Sequence, residues 1–468
     1  MVAEGVLEGD MKFTLHLSQQ HHDALRTHLF PGDGKEAVAL LLCGRRAGPE
    51  HHVLTVFRVV PIPHEVCDRQ ADRVSWPTEL VDALIGEAYG LGLAIVKVHS
   101  HSTDCREFSP TDDESDQVLF ASIVSLLDDS LPHASLIMLP DGEIFGRVLG
   151  KDGKVVTPLA SIMAVGDDIH IWTERRLSQG SFAQRHVQAF GSGTTDLLRT
   201  ISVAIVGCSG TGSFVAEQLA RLGVGRLVLV DPDVVEEKNL NRIVNSGKED
   251  AYLARPKVQV LASAIARMGL DQEVIALQKT LLTPEAVKAV AECDVAFGCM
   301  DGVEGRHVLN RIATFYLLPY FDVGVRLDAD GAGGIESIAG AVHYIQPGGS
   351  SLLSREVYSM ARVDAESLRR TDPEMYRRLV REGYLRGVDE ARPAVVSVNA
   401  FFASLAVNEF LARLHPYRNA QNKNYAYVAV NFSEMQFYTE PETAPCPLLE
   451  KHVGRGDVVP LLERASLS

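Results

Sequence analysis

The stretch ISVAIVGCSGTGSFVAEQLARLG, residues 201–223, joins an apolar run to a helical pattern through a glycine-rich turn. The run is continuous in β-branched and apolar residues, which is typical of a parallel strand buried on both faces. Gly207, Gly210 and Gly212 lie where backbone amides and a helix N-terminus can receive a phosphate. The G-x-x-G-x-G spacing differs from the dinucleotide fingerprint G-x-G-x-x-G, and no G-K-[ST] follows. The turn therefore indicates a nucleotide site. Its spacing argues against NAD or FAD as the ligand, and the sequence is not a P-loop.

The same alternation continues downstream of this turn. Strand patterns follow at 226–231, 273–278 and 294–301, with a helical pattern at 257–268 and an apolar helix at 394–414. Alternating strands and helices predict a doubly wound, mostly parallel sheet with right-handed crossovers, a Rossmann-like α/β domain.

The N-terminal part has a different pattern, with short strands at 36–44, 52–62 and 93–99, a helix at 78–92 and a hairpin at 134–150. These elements predict a small α/β domain. We expect domains at 1–165 and 201–440, a helical linker and dimer segment at 166–200, and a tail at 441–468. A charged, helical insertion is expected at 351–390, where a conjugating enzyme could dock.

Composition limits the classes of function. The chain has 468 residues, a net charge of −16 and seven cysteines, none in a C-x-x-C pair. The charge disfavours nucleic acid or an anionic membrane as the main partner. The cysteine usage favours a reducing compartment, so we expect a cytoplasmic protein. We expect no signal peptide and no membrane span, since the N-terminal residues are acidic and no apolar run reaches about 18 residues.

His99 and His101 end a predicted strand, and Ser109 and Asp112 follow. Because side chains alternate along a strand, both imidazoles face the same side. Two histidines and a carboxylate leave the fourth zinc position for water, as catalytic sites require. A polar loop that binds nothing is the alternative for the H-x-H pair alone. The pairs His21–His22 and His51–His52 lack carboxylate company and are expected on the surface.

The run H-S-H, seven residues, then S-P-T-D resembles the signature of JAMM/MPN-type (JAB) metallopeptidases, which cleave peptide or isopeptide bonds after ubiquitin-like proteins. KEAVALLLCG (35–44) supplies the upstream glutamate of that family, Glu36. The resemblance implies that His99, His101 and Asp112 hold zinc, that Glu36 is the general acid/base, and that Ser109 steadies the oxyanion. A solvated carboxylate is the alternative for Glu36. Ser102 replaces the family's usual proline, which puts the stiffness of the loop in question.

VDPDVVEEKNLNRIV (230–244), ARPKVQ (254–259) and VAFGCMDGVEGR (295–306) resemble the ThiF/MoeB and ubiquitin-activating superfamily. The resemblance implies ATP and Mg²⁺ as cofactors, bound with the glycine turn by Asp231, Asp233, Asn239, Arg242, Lys257 and Asp301. Asp231 would hold the ribose, Asn239, Arg242 and Lys257 the triphosphate, and Asp301 the magnesium. RHVQAFG (185–191) is similar to a segment whose arginine reaches into a partner's nucleotide site. Arg185 would then be catalytic in a homodimer; capping a helix is its alternative.

The family's transfer cysteine is missing. The matching segment, 343–360, carries Ser350 and Ser351 instead, and Cys446 lies in the tail with Leu449 where relatives have a second cysteine. Three routes stay open: release of the adenylate directly to an acceptor, an oxyester on a serine, or a thioester on Cys446, which is otherwise the remnant of a metal pair.

The two resemblances together imply a bifunctional enzyme acting on one small protein that ends in glycine. Adenylation and zinc-dependent cleavage would serve conjugation and deconjugation of a ubiquitin-like modifier. The alternative is trimming and activation of a sulfur carrier for thiocarboxylate formation. A scaffold that binds nucleotide and modifier without turnover is the third hypothesis.

Overall fold

The computed structural model describes residues 11–128, 131–173, 184–329, 332, 334–382, 384–385 and 395–467. It divides into two units. Unit 1 contains residues 1–175, 315–317 and 452–459, and unit 2 contains residues 176–314, 318–451 and 460–468.

Unit 1 is built on a mixed nine-stranded sheet. The strands of this sheet are β1 (Lys12–Ser18), β2 (Val38–Ala47), β3 (His51–Pro61), β6 (Ala94–Ser100), β7 (His133–Met138), β8 (Ile144–Leu149), β9 (Val155–Pro158), β10 (Ser161–Val165) and β11 (Ile169–Trp172). Two short strands, β4 (Asp68–Arg69) and β5 (Val74–Ser75), pair separately with each other. The sheet order is β11-β10-β1-β3-β2-β6-β7-β8-β9.

Helices cover both faces of this sheet: α1 (Gln19–Leu29), α2 (Asp82–Leu91) and α3 (Pro110–Leu127). Alternate residues of β6 therefore enter different cores. Val96 joins the core that includes Leu25 of α1, whereas Ile95 joins the core that includes Phe120 of α3. The side of β6 that faces α3 is the side on which Lys97 and His99 also lie.

Two expectations for this unit are wrong. Residues 169–172, expected within a helical segment, form β11, because Ile169 to Trp172 pair antiparallel with β10. The paired histidines are largely enclosed, with His22 6%, His51 5% and His52 3% exposed. Two of their ring nitrogens have polar neighbours: His51 Nε2 lies 2.9 Å from Thr14 Oγ1, and His22 Nε2 lies 2.7 Å from the Gly142 carbonyl oxygen.

Residues 452–459 belong to unit 1 through contacts with β2 and β3. The Gly454 carbonyl oxygen accepts hydrogen bonds from Gly44 N at 3.2 Å and Thr55 Oγ1 at 2.9 Å. A Cβ at Gly44 would overlap the Arg455 backbone. Glycine at position 44 is therefore what lets this segment lie against the sheet.

Unit 2 contains an eight-stranded sheet in the order β14-β13-β12-β15-β16-β17-β18-β19. Its strands are β12 (Ser202–Val206), β13 (Arg226–Val230), β14 (Glu273–Leu277), β15 (Val295–Gly298), β16 (Tyr320–Ala329), β17 (Ile335–Ile345), β18 (Tyr427–Asn431) and β19 (Gln436–Glu440). Neighbours from β14 to β16 are parallel, as the Rossmann-like pattern predicts, and β16 to β19 are antiparallel.

The helices between α3 and the C-terminus are α4 (Gln184–Thr200), α5 (Gly210–Leu222), α6 (Lys248–Tyr252), α7 (Lys257–Met268), α8 (Pro284–Ala291), α9 (Val303–Tyr316), α10 (Met360–Thr371), α11 (Pro373–Arg381) and α12 (Val396–Leu414). Helix α12 packs on α5, β16 and β17. Helices α10 and α11 lie within the expected insertion, of which residues 383 and 386–390 lie outside the described residues. Among the described helices, none is both long and apolar enough to cross a bilayer.

Candidate functional site

The first candidate site forms where β6 ends. His99 lies in β6 opposite Val38 of β2, and His101 follows two residues later on the same face. Asp112 lies in the first turn of α3. The ligand atoms of His99, His101 and Asp112 all lie within 4.8 Å of one another. The structure thus brings the three expected zinc ligands to one point, with a donor set of two nitrogens and one oxygen that suits zinc.

The burial and the contacts of the two histidines fit a metal site. Both ring nitrogens of His99 are buried without a hydrogen-bond partner among the described residues, and Nε2 lies 3.2 Å from Asp112 Oδ1. Burial lowers the pKa of His99, although Asp112 partly offsets this. His101 Nδ1 lies 2.8 Å from the Cys105 carbonyl oxygen; because a carbonyl oxygen only accepts, Nδ1 is the donor and Nε2 is left available. Neutral imidazoles are the form that binds zinc.

Asp112 is oriented by the start of α3. Ser109 caps this helix, and its Oγ and backbone N donate to Asp112 Oδ2 at 2.7 and 2.8 Å, while Asp112 N donates to Ser109 Oγ at 3.2 Å. Burial raises the pKa of Asp112, but the contact with His99 and the hydrogen bonds from Ser109 outweigh it, and the net pKa is low. Oδ1 is therefore directed toward His99 as a carboxylate oxygen. The expected contact of Ser109 with an oxyanion stays a prediction.

Glu36 precedes β2 beside this site. The β2–β6 register pairs Val38 with His99, and Ala37 N donates to Ser100 Oγ at 2.9 Å. Continuing this antiparallel register places Glu36 beside His101. Glu36 is 6% exposed, and burial, with the nearby Asp112 charge, raises its pKa to about 8. A carboxyl group that titrates near neutrality can both accept and return a proton.

The second candidate site is the turn between β12 and α5. Gly207 has φ of 93°, and a Cβ there would lie 2.5 Å from the Cys299 carbonyl oxygen. A Cβ at Gly212 would overlap the Gly207 carbonyl oxygen. Helix α5 begins at Gly210, so its free N–H groups are presented at this turn. The turn is formed by closely packed backbone, as an anion site needs.

Charged residues line the adjacent strand ends. Asp231 follows β13 and accepts hydrogen bonds from Cys208 N at 2.7 Å and Asp233 N at 2.9 Å. Burial raises the pKa of Asp231, and Lys257 opposes this rise. Lys257 Nζ lies 2.8 Å from Asp233 Oδ2 and 4.0 Å from Asp231 Oδ1. Asp231 is thereby tied to the glycine turn, and Lys257 to both acids.

The remaining expected nucleotide residues lie nearby. Asn239 is buried and its Oδ1 accepts from Glu236 N at 3.0 Å. A Cβ at Gly210 would lie 3.2 Å from Arg242 Cδ, so Arg242 contacts the turn. Asp301 is exposed and follows β15, whose end is tied to β12 by a 2.8 Å hydrogen bond from Cys299 N to the Val206 carbonyl oxygen. These contacts bring the expected ATP residues together near the carboxyl ends of β12, β13 and β15.

The three candidate transfer nucleophiles are buried. Ser350 is 1%, Ser351 2% and Cys446 3% exposed. Ser350 Oγ donates to Glu442 and accepts from Arg355 Nε at 2.7 Å, and Cys446 N donates to the Gly349 carbonyl oxygen at 3.0 Å. Each is built into the packing of unit 2.

Arg185 lies exposed near the start of α4, with Nη1 3.3 Å from Gln188 Oε1. Its expected role across a dimer stays a prediction.

Sequence reasoning missed two side chains near the nucleotide turn. Asn399 of α12 is buried, and its amide would collide with a Cβ at Gly210. Arg306 of α9 lies 3.3 Å from Asp322 Oδ1, five residues beyond Asp301. An asparagine inside the apolar pattern 394–414 is a signal that could have identified the first. The second has no local signal, because its partner comes from another strand.

The fold and the sites define a two-part protein, a JAB-type domain followed by an adenylation-type α/β domain. Comparison with known families gives the same division. The model of the ThiF family matches residues 183–448, and that of prokaryotic homologs of the JAB domain matches residues 18–160. Since the first match covers more than half of the chain, the chain belongs to the ThiF family.

Curated relatives match shorter stretches. The pig adenylyltransferase and sulfurtransferase MOCS3 is 41% identical over 113 residues, 24% of each chain. The sulfur carrier protein ThiS adenylyltransferase of Escherichia coli K12 is 41% identical over 109 residues, 23% of this chain and 42% of the relative. Ubiquitin-like modifier-activating enzyme 5 of Culex quinquefasciatus is 29% identical over 163 residues, 32% and 38% of the two chains. The chain thus spans about a quarter of MOCS3 and less than half of the other two.

Among solved structures, Escherichia coli MccB with ATP is similar at 17% identity and a TM-score of 0.44, covering 60% of this chain and 76% of MccB.

Proposed function

We propose that the chain adenylates the C-terminal glycine of a ubiquitin-like or sulfur-carrier protein and hydrolyses the peptide or isopeptide bond that follows such a glycine. The observation that carries the proposal is that one chain holds two groups of residues of the expected chemical types. One set places three ligand atoms within 4.8 Å beside a buried Glu36, and the other groups the glycine turn, Lys257 and Asp301.

In the adenylation half-reaction, the substrate carboxylate attacks the α-phosphate of ATP and pyrophosphate leaves. Two anions must approach each other, so positive charge and amide donors have to converge there. Arg242 and Lys257 supply the charge, and the amides at the start of α5 supply donors. Asp301 would hold the magnesium ion that neutralises the phosphates.

In the peptidase reaction, His99, His101 and Asp112 would hold zinc, which supplies Lewis-acid chemistry when bound. Glu36 takes a proton from the attacking water and returns it to the leaving amine. Its raised pKa suits both transfers, because a carboxylate with a pKa far below neutrality accepts a proton from water poorly. Ser109 holds Asp112 in place through the helix cap.

The burial of Ser350, Ser351 and Cys446 favours the sulfur-carrier version of this function over conjugation through a covalent enzyme intermediate. A nucleophile that is at most 3% exposed meets an adenylate only if the packing opens. Direct transfer from the adenylate to an external sulfur donor needs no such opening. The names of the relatives include sulfur-carrier and ubiquitin-like activating enzymes, and so are compatible with both versions.

The test is ATP–pyrophosphate exchange with a small Gly-ending protein encoded beside the chain, comparing wild type with Asp301→Ala and with the exposed-site control Glu114→Gln. We expect exchange in wild type and control, and loss in Asp301→Ala. Absence of exchange with every Gly-ending protein tried would refute the adenylation half of the proposal.

Intact mass measured on the same mixtures separates the transfer routes. An adduct released only by thiol indicates Cys446, an adduct released by mild base but not by thiol indicates Ser350 or Ser351, and exchange without an adduct indicates direct transfer.

A further inference from the structure

A second row of interactions lies directly behind the candidate zinc site. Lys97 and His99 are two residues apart in β6 and share the face toward α3. Asp112 and Asp116 are four residues apart and therefore lie on one face of α3. His99 meets Asp112, and Lys97 forms an ion pair with Asp116. The strand and the helix are thus joined by two parallel contacts, one at the metal site and one behind it.

Arg147 of β8 completes the rear contact. Its Nη2 and Nε lie 2.7 and 3.3 Å from Asp116 Oδ2, and Nη1 pairs with Asp113. Lys97 is 5%, Asp116 1% and Arg147 7% exposed. Three charged side chains from two strands and one helix therefore meet out of solvent, with a single buried carboxylate between two cations.

The same arginine also reaches the histidines through packing. Its guanidinium carbon lies 3.8 Å from the centroid of the Phe108 ring. The Phe108 ring contacts His99 edge-on at 6.4 Å and Phe145 at 5.7 Å between centroids. Phe108 immediately precedes Ser109, the cap of the helix that carries Asp112. Arg147 therefore contacts, through Phe108, the surroundings of both His99 and Asp112.

Stability alone does not account for this arrangement. Apolar side chains of similar volume often stabilise a core as well as a buried ion pair does, because charges lose solvation on burial. A buried ion pair does, however, penalise any shift of the helix along the strand, since a shift leaves a charge uncompensated. A metal site tolerates such shifts poorly, because its ligands must hold their geometry.

We propose that Lys97, Asp116 and Arg147 are positioning residues, which fix α3 on β6 and thereby hold Asp112 in register with His99 for metal binding. This inference rests on the proposed zinc peptidase and names the residues that pre-organise its site. None of the three contacts the metal ligands' coordinating atoms; they act through the helix and through Phe108.

The experiment measures Zn²⁺ affinity of the full chain by competition with a chelator, and the absorption spectrum of the Co²⁺-substituted protein. Asp116→Asn is compared with wild type and with Asp152→Asn, which removes an exposed acid that pairs with Lys154 in the same unit. We expect Asp116→Asn to bind Zn²⁺ about 10–100-fold more weakly, the range for outer-sphere partners of metal ligands. Its Co²⁺ spectrum should change, whereas ATP–pyrophosphate exchange and the control stay as in wild type.

Wild-type affinity together with a wild-type Co²⁺ spectrum in Asp116→Asn would overturn the positioning role. If Asp116→Asn does not fold, Lys97→Met decides the matter by the same two readouts, because it leaves the Arg147–Asp116 pair in place. If wild type itself binds no Zn²⁺, the zinc peptidase proposal fails first, an outcome distinct from failure of the positioning role alone.

Discussion

The two candidate sites are built in different ways. At the metal site, side chains from a short stretch, residues 99–112, converge where a strand end meets a helix start. At the nucleotide site, backbone amides and glycines form the centre, and its charged residues come from positions between 231 and 301. The first site depends on which atoms the side chains carry. The second depends on how closely two backbone segments approach.

This difference predicts different responses to mutation. A side-chain site loses its ligand when one donor is removed, while the fold survives. A backbone site loses its shape when a side chain is added to one of its glycines. The packing of the neighbouring strand ends is then disturbed as well.

Gly212→Ala should have the largest effect, because its Cβ would overlap the Gly207 carbonyl oxygen. We expect loss of ATP–pyrophosphate exchange and destabilisation of about 1–3 kcal/mol, the usual range for forced overpacking. Thermal melting and exchange assays measure both. Gly193→Ala is the matched control, since a Cβ there meets no atom within 4 Å; equal behaviour of the two variants would show that the turn is not closely packed.

His101→Ala should abolish peptidase activity while leaving exchange and melting nearly unchanged. Loss of a direct ligand should weaken Zn²⁺ binding by more than about 100-fold, beyond what outer-sphere partners cause. Chelation of the metal in the wild-type protein should likewise abolish peptidase activity and leave ATP–pyrophosphate exchange unchanged. Asp104→Ala, an exposed acid of the same loop, serves as control. Retention of activity in a metal-free His101→Ala protein would contradict the metal site.

The stability of the metal-free protein should depend on Glu36 in a direction opposite to that of most carboxylates. Burial raises its pKa from 4.5 to about 8, so between these values the folded state holds more protons than the unfolded state. Stability contributed by this group is therefore present below pH 4.5 and is lost as the pH rises toward 8.

Glu36→Gln removes this dependence. We expect the variant to be about 1–3 kcal/mol more stable than wild type at about pH 8 after chelation, with the difference shrinking toward about pH 5. Urea unfolding across that pH range measures it, with the exposed Glu114→Gln as control. A difference that grows toward acid pH would show that Glu36 is stabilised as a carboxylate.

Ser350→Ala and Cys446→Ser should have the smallest effects on activity. Adenylate formation needs neither group, so exchange should stay within about twofold of wild type. Ser350→Ala should lower stability by about 1 kcal/mol, the net value of a lost hydrogen bond. Loss of exchange in a well-folded Cys446→Ser protein would give this cysteine a part in the reaction.

Much of this architecture follows from local patterns. The apolar run at 201–206 and the glycine spacing predict the nucleotide turn, because each is a short-range consequence of a strand meeting a helix. The alternation of side chains along a strand likewise predicts that His99 and His101 share one face, because the two residues are separated by a single position.

The remainder depends on contacts between distant segments. Arg147 comes from a strand 31 residues beyond Asp116, and nothing in the sequence near either one indicates the pairing. The burial of His52 behind Phe13, whose rings stack at 5.7 Å between centroids, also requires the sheet order, which the sequence alone does not provide.

Both sites are proposed to act on the C-terminus of one small protein. The decisive experiment uses that protein with a peptide extension after its glycine, incubated with ATP and either wild type or Glu36→Gln. AMP formation is measured in the presence of an acceptor thiol, once with the extended substrate and once with a substrate that already ends in glycine. The comparison reports whether cleavage precedes activation. We predict that wild type consumes both substrates, whereas Glu36→Gln consumes only the trimmed one. Equal use of the extended substrate by both enzymes, or its use by neither, would show that Glu36-dependent cleavage does not prepare the substrate for activation.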